Sequence, residues 1–326
     1  MEFTIAFDMR APAFGAPVED LYAAALDQCA WADSLGFDFV GIGEHHATDD
    51  GYLPSPLIFA AAAAGRTDRI RLRPSVLLAP LYDPVKLAED LAVLQIASRG
   101  RLVVGIGAGY RPCEFAMFGK RREERRRLYE EAIEVLRQAW TGEWFEYRGR
   151  RVRVTPVPDP PPPIWLGGAH PAVARRAAHI ADRFFPPQGE NWDIYREECR
   201  IAGKPDPGPC PKPGPIYVHV TRDPEAAWER VTPHIEHVVR SYAEWTVEAY
   251  GRAAGPFAEG VDLAAVRASG AYQIVTPEQA VALARGLGRD AVFHLTPLLG
   301  GVDPDFAWEG LRLFEGEVWP ELQDLR

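Results

Sequence analysis

Glu44, His45 and His46 stand together at the end of an apolar stretch, FDFVGIG, and form the densest acid–base cluster in the chain. An imidazole titrates near neutral pH, so a histidine here can serve as a general base or as a hydrogen-bond donor. Side chains alternate along an extended segment, which sends Glu44 and His46 to one side and His45 to the other. Two blander readings compete. The cluster could merely tie down a loop through hydrogen bonds, or His45 and His46 could ligate a metal, although no second His/Asp cluster completes a recognisable ligand set.

Two glycine-rich segments offer a different chemistry. In RLVVGIGAGY, Gly105, Gly107 and Gly109 fall at alternate positions, leaving one side bare so that a flat ring can approach the backbone. Tight packing explains the same pattern equally well, and the acidic residue and βαβ context of a dinucleotide fingerprint are missing. In PPPIWLGGAHP, Gly167 and Gly168 lead into a helix with Pro171 in its first turn. Free amides at such a helix start make a natural phosphate seat, joined by Arg175 and Arg176 if their orientation permits; an ordinary turn is the alternative.

Something must bring these segments together. Short β-branched and aromatic runs alternate with longer helical patterns: Phe3–Asp8 then Val18–Leu35, Phe37–Gly43 then Ser55–Gly65, Ile70–Ala79 then Pro84–Ala97, and Arg101–Ala108 then Glu123–Thr141. The alternation continues with Ile164–Gly167 then Pro171–Ala181, Asp182–Pro186 then Trp192–Ala202, Ile216–Thr221 then Pro224–Tyr250, and Ala291–Leu299 then Pro304–Trp319. Such a pattern means a parallel sheet with crossover helices, and eight units favour closure into a TIM (β/α)8 barrel over an open sheet. Three segments break the rhythm: Gly142–Pro163, Gly203–Pro215 and Gly251–Thr276. They read as insertions at the C-terminal rim of a single barrel domain spanning residues 1–326, where active sites of this architecture form.

The totals restrict the partners. Hydrophobic residues make up 47% of the 326-residue chain, enough for one large core, and 36 basic against 46 acidic side chains give a net charge of −10. No global positive field exists to hold nucleic acid. The basic run KRREERRR is interrupted by glutamates and reads as a solvated helical face. Cys29, Cys113, Cys199 and Cys210 show no metal or disulfide spacing, and neither a secretory leader nor a long apolar span is visible, so a cytoplasmic, non-membrane protein is expected. His219 and His294 lie inside strand patterns and read as barrel histidines, and Trp31, Trp140 and Trp228 as packing.

The assembled motifs resemble the luciferase-like monooxygenase family. The likeness runs through GFDFVGIGEHH, the long segment from Ser75 to Tyr110, EFAMFG, PPIWLGG and VTPEQAV, and so spans nearly the whole chain. It implies a TIM barrel binding reduced FMN, supplied by a separate reductase, or the related 5-deazaflavin coenzyme. It implies His45 as acid/base with Glu44 beside it at the flavin and His46 completing the motif. Ser75 and Val76 match the place where such proteins carry a non-prolyl cis peptide behind the ring. Gly107, Ala108, Gly109 and Tyr110 would flank the ring, and Gly167, Gly168, His170, Ala172 and Val173 would lie at the phosphate. Family resemblance also implies a homodimer through Ser55–Gly65 and Pro84–Ala97.

Two departures matter. Gly107 stands where the luciferase α-chain has a cysteine, and Ala108 where it has a phosphate-binding arginine, so light emission is not expected. The reading is a monooxygenase acting with reduced FMN and oxygen on a small hydrophobic organic substrate, under covers drawn from Tyr110–Gly119 and Gly251–Thr276. Its alternatives are a deazaflavin-dependent reductase or dehydrogenase, a metal-dependent barrel hydrolase, and a non-catalytic flavin-binding protein.

Overall fold

A computed structural model describes residues 1–187, 189–253 and 262–326. Its central sheet contains eight parallel strands in the order β8-β7-β4-β3-β2-β1-β12-β9. These are β1 (Glu2–Phe7), β2 (Phe39–Ile42), β3 (Arg71–Leu77), β4 (Val104–Ile106), β7 (Ile164–Gly167), β8 (Arg183–Phe185), β9 (Lys212–Pro213) and β12 (Ala291–Leu295). Helices α1 (Val18–Leu35), α2 (Pro56–Ala64), α3 (Pro84–Ala97), α5 (Arg125–Ala139), α6 (Pro171–Ile180) and α7 (Trp192–Ile201) connect successive strands, as the alternating pattern requires. The result is a (β/α)8-like barrel that is partly open, because the sheet order ends at β8 on one side and β9 on the other.

Local sequence accounts for the elements. Helix α1 buries Leu21, Ala24, Ala25, Gln28, Cys29 and Ala32 at helical spacing and stops where Gly36 takes φ 84°, a conformation that glycine adopts without steric penalty. Asp83 caps α3, its carboxylate accepting from the amides of Val85 and Lys86, with Pro84 in the first turn. The VTPEQAV motif is a capping box: Thr276 and Gln279 satisfy each other's backbone amides at the start of α10 (Pro277–Leu287). Along β1, Phe3, Ile5 and Phe7 pack outward into the helical layer, where Phe3 meets Phe37 and Trp319, while Glu2 and Thr4 take the other face.

The seventh strand departs from expectation. A strand does form at β10 (Tyr217–Val220), but it pairs in parallel with β11 (Tyr272–Val275), outside the eight-stranded sheet. The place beside β12 falls to β9, two residues within the segment read as the Gly203–Pro215 insertion, with Lys212 opposite Ala291. A proline-rich stretch can supply only a short edge strand, since proline donates nothing to a ladder. The Gly142–Pro163 insertion folds as an antiparallel hairpin of β5 (Phe145–Tyr147) and β6 (Arg150–Val152). Of the Gly251–Thr276 insertion, residues 254–261 lie outside the described residues, and the remainder supplies α9 (Leu263–Ala268) and β11. Two further helices frame the rim: α4 (Pro112–Met117) in the loop after β4, and the 27-residue α8 (Pro224–Tyr250). Helix α11 (Pro304–Leu313) follows β12.

Candidate active site at the rim

The acid–base cluster sits just past β2, and its three side chains divide as strand alternation predicts. Glu44 and His46 meet on one side, His46 Nε2 lying 2.9 Å from Glu44 Oε1. Glu44 also accepts from the Leu78 amide at 2.6 Å and from the Tyr82 hydroxyl at 2.8 Å, so one buried carboxylate ties the end of β2 to the loop after β3. Burial and the Glu44 charge together push the Tyr82 phenol well above its ordinary range.

His45 points the other way and finds a partner that sequence reasoning did not assign. Its Nδ1 lies 2.7 Å from Oε1 of Glu114, a fully buried carboxylate on α4. The same oxygen accepts the His46 amide at 3.1 Å, while the second Glu114 oxygen has no hydrogen-bond partner. Arg111, one turn before Glu114, donates to the His46 carbonyl at 2.7 Å and stacks 4.3 Å from the Trp245 ring. A carboxylate at Nδ1 fixes the tautomer: Nδ1 carries the proton and Nε2 presents a lone pair. Burial lowers the His45 pKa, against the raising effect of Glu114, so the imidazole is neutral at neutral pH.

Aromatic rings enclose that imidazole. Tyr52 and Trp245 lie 4.8 Å away between centroids, and Tyr110 and Tyr242 lie 5.8 Å away. Tyr242 and Trp245 come from the C-terminal half of α8, which therefore covers this side of the rim. A buried network anchors it. Asp50 accepts from His237 of α8 at 2.7 Å and lies 3.4 Å from the Arg10 guanidinium, which is itself held against the rings of Tyr52, Tyr242 and Trp245 at 4.7–5.4 Å. Burial alone would raise the Asp50 pKa, but His237 and Arg10 outweigh it and hold the carboxyl at about 2.

The glycine edges converge on Val76. The Ser75–Val76 peptide is cis, and the β3–β4 register slips by one residue between Ser75 and Leu77, with Val76 as the extra residue. A Cβ added at Gly107 would come within 2.2 Å of Val76 Cγ2, and one at Gly167 within 2.7 Å of Val76 Cγ1. Only glycine fits beside this bulge, so the ends of β3, β4 and β7 make one bare wall around a single branched side chain. That wall suits a planar ring lying against it.

The phosphate end fits less simply. His170 caps α6, its Nδ1 accepting the Ala172 amide at 3.1 Å while its carbonyl accepts the Val173 amide at 2.8 Å. A phosphate at this helix start has to displace the exposed His170 ring. Arg175 and Arg176 are committed elsewhere: Arg175 pairs with Glu198 at 3.3 Å, and Arg176 with Glu130 at 2.8 Å and the Tyr129 hydroxyl at 2.9 Å. The orientation on which their help to a phosphate depended is not met, because helical geometry carries both toward neighbouring helices.

Residues missed at the sequence level are Glu114, Arg111, Tyr52, Tyr82, Tyr242 and Trp245. Glu114 carried one signal, a carboxylate inside the short apolar EFAMFG run; the tyrosines and Trp245 carried none, since helical tryptophans usually pack. Trp140 does pack, donating to the Ala88 carbonyl at 3.1 Å. His219 stacks on Phe306 with 4.1 Å between centroids. Among the described residues, no three His, Cys, Asp or Glu side chains gather as a metal set, and no helix is long and apolar enough to cross a membrane.

The family model described as luciferase-like monooxygenase matches residues 1–285. Among curated proteins, the chain is similar to 4-hydroxyprotoasukamycin monooxygenase of Streptomyces nodosus subsp. asukaensis, at 32% identity over 40% of this chain and 38% of that one. It is also similar to the F420-dependent glucose-6-phosphate dehydrogenase of Amycolatopsis mediterranei, at 26% identity over 53% and 56%. The chain spans about half the length of the curated relatives it matches. Among solved structures, monooxygenase RslO1 from Streptomyces bottropensis superposes with a TM-score of 0.79, at 27% identity over 98% of this chain and 99% of that one.

Proposed function

The chain belongs to the luciferase-like monooxygenase family, and from that premise we propose that it is a cytoplasmic flavin-dependent monooxygenase. It takes reduced FMN from a separate reductase and uses oxygen to oxidise a small hydrophobic substrate. The observation that carries this reading is the His45–Glu114 pair, 2.7 Å apart and walled by aromatic rings, beside the bare surface at Val76, Gly107 and Gly167.

Ser75, Val76, Gly107, Ala108, Gly109 and Tyr110 would hold the ring, with Glu44 and His46 bracing its edge of the site. Gly167, Gly168, His170, Ala172 and Val173 would hold the phosphate once the His170 imidazole swings aside. Bound there, the reduced cofactor supplies two electrons and the means to activate oxygen. The protein's own residues do the rest. Glu114 keeps the His45 proton on Nδ1, so Nε2 takes a proton from the substrate or returns one to it; such a general acid–base is worth about 10²–10⁴-fold in rate. Tyr52, Tyr110, Tyr242 and Trp245 exclude water and present apolar faces to a substrate with little polarity of its own.

A second reading, a deazaflavin-dependent dehydrogenase, is favoured by one observation. An oriented neutral imidazole backed by a carboxylate is equally suited to removing a hydroxyl proton, and one relative is F420-dependent by name.

Titrating the apoprotein with FMN, reduced FMN and coenzyme F420 separates the two, with oxygen uptake and product mass followed for a panel of apolar aldehydes, ketones and aromatics. Binding of reduced FMN with a product gaining one oxygen atom supports the monooxygenase. Binding of F420 alone selects the dehydrogenase, and binding of neither overturns both.

A homodimer through α2 and α3 belongs to the same proposal. These neighbouring helices leave Ile58 74%, Val93 54% and Ile96 45% exposed, an apolar face flanked by the alanines of α2.

A further inference from the structure

The interior of this barrel is unlike the usual packing of branched aliphatic side chains. Where the sheet order lapses between β8 and β9, a cavity of about 90 Å³ opens among Glu2, Arg73, Arg183, His294, Trp165 and Phe185. Arg73 is 1% exposed; it donates to Glu2 at 3.0 Å and to Thr4 at 3.4 Å, and its Nε has no hydrogen-bond partner. Arg183 stands over the rings of Trp165 at 5.0 Å and Trp192 at 5.9 Å and forms no ion pair among the described residues. His294 adds no positive charge of its own: burial, then Arg73, lowers its pKa to about 4 and leaves it neutral. Two guanidiniums therefore line the space with one lining carboxylate, Glu2, while Glu190 and Asp193 lie within electrostatic reach of Cys210 on the same wall. A third cation, Arg71, lies over Phe39 at 3.9 Å and opposes the charge on Arg73.

We propose that this cavity is a binding site for one small free oxyanion, entering between β8 and β9 and held by Arg183 and Arg73. The physical need is plain at Arg73, a buried guanidinium with one carboxylate and an Nε left without a partner: an unsatisfied buried donor is costly, and an anion placed between it and the half-buried Arg183 removes part of that cost. Guanidinium presents planar, forked N–H groups matched to carboxylate or phosphate oxygens. Size restricts the ligand, since about 90 Å³ is the space of about three waters at about 30 Å³ each. Inorganic phosphate or a two-carbon carboxylate fits, and a nucleotide does not. None of the lining residues belongs to the rim site, so the inference does not depend on which cofactor the rim takes.

Calorimetric titration of the full chain with inorganic phosphate and, separately, acetate, at constant ionic strength, tests the proposal. Wild type, Arg183→Gln and Arg183→Lys are compared, with FMN absent and in excess. One saturable site per chain for either anion is expected, at least tenfold weaker in Arg183→Gln, partly restored in Arg183→Lys and indifferent to FMN. Phosphate alone binding marks a tetrahedral ligand, acetate alone a carboxylate, and either supports the site. No saturable binding, equal affinity in Arg183→Gln, or displacement of phosphate by FMN but not by riboflavin would overturn it, the last by making these cations the cofactor's own phosphate seat.

Discussion

Two of the polar regions within the apolar core are built on opposite terms. At the rim under α8, each imidazole meets its own carboxylate, His45 with Glu114 and His46 with Glu44, and Glu44 serves three donors at once. Between β8 and β9 the lining cations outnumber the lining carboxylates, and aromatic faces supply further support. A site whose partners are already in place is prepared to move a proton without rearranging. A site with donors left over is prepared to receive negative charge. The difference lies in how the sheet is closed: ladder pairing from β2 through β7 locks the rim edges, while its lapse beside β9 leaves room inside.

The largest effect that sharpens this contrast is expected at His45. Replacing it with alanine should lower turnover by about 10²–10⁴-fold while leaving cofactor binding within a few-fold, measured by steady-state oxygen uptake and by titration. If turnover persists, the rim is not a proton-transfer site. The pH profile is a finer probe. Because the His45 pKa is lowered, its neutral form should persist below pH 6.5, and activity should fall only as pH drops through that lowered value. Glu114→Gln removes a charge that raises the pKa, so the acid limb should move to lower pH, with a loss in rate; a shift to higher pH would contradict the assigned role of the Glu114 carboxylate.

A smaller effect, on stability, is expected at Glu44. Glu44→Ala strands the Leu78 amide and the Tyr82 hydroxyl in a buried setting, at about 1–3 kcal/mol for each unsatisfied group, readable as a lower urea midpoint. Acid should destabilise the protein through its buried histidines. His219 and His294 are held near 4 by burial, so the stability from keeping them neutral is complete above about 6.5 and is lost as pH falls from there toward 4. A urea midpoint flat between pH 7 and 4.5 would contradict that burial. Smallest in its reach, Ile58→Asp should shift the sedimenting species toward monomer while leaving the rim untouched; an unchanged sedimentation coefficient would remove α2 from the interface.

What the sequence disclosed follows a physical division. Glu44, His45 and His46 are adjacent, so strand alternation alone predicted that His45 would part from its neighbours. The Ser75–Val76 bulge and its glycine wall were visible because each is a contiguous run resembling one family. Glu114, Tyr242 and Trp245 were not, because they reach the site over long loops and a 27-residue helix, and periodicity says which face is buried without saying against what. The same blindness applies to β9, two residues in a proline-rich stretch, and to Arg73 and Arg183, whose shared cavity depends on a register that no local pattern encodes. Arg175 and Arg176 failed in the other direction: they are close in sequence to a helix start but turned toward carboxylates on neighbouring helices.

Hydrogen–deuterium exchange of the apoprotein with and without saturating reduced FMN, or F420 if that is the coenzyme bound, tests the central claim directly. Amides in peptides covering residues 44–46, 75–78 and 105–110 should exchange more slowly once the cofactor is bound. Binding that protects none of these three edges, or only the strands around 183–213, would place the ring elsewhere and contradict the account.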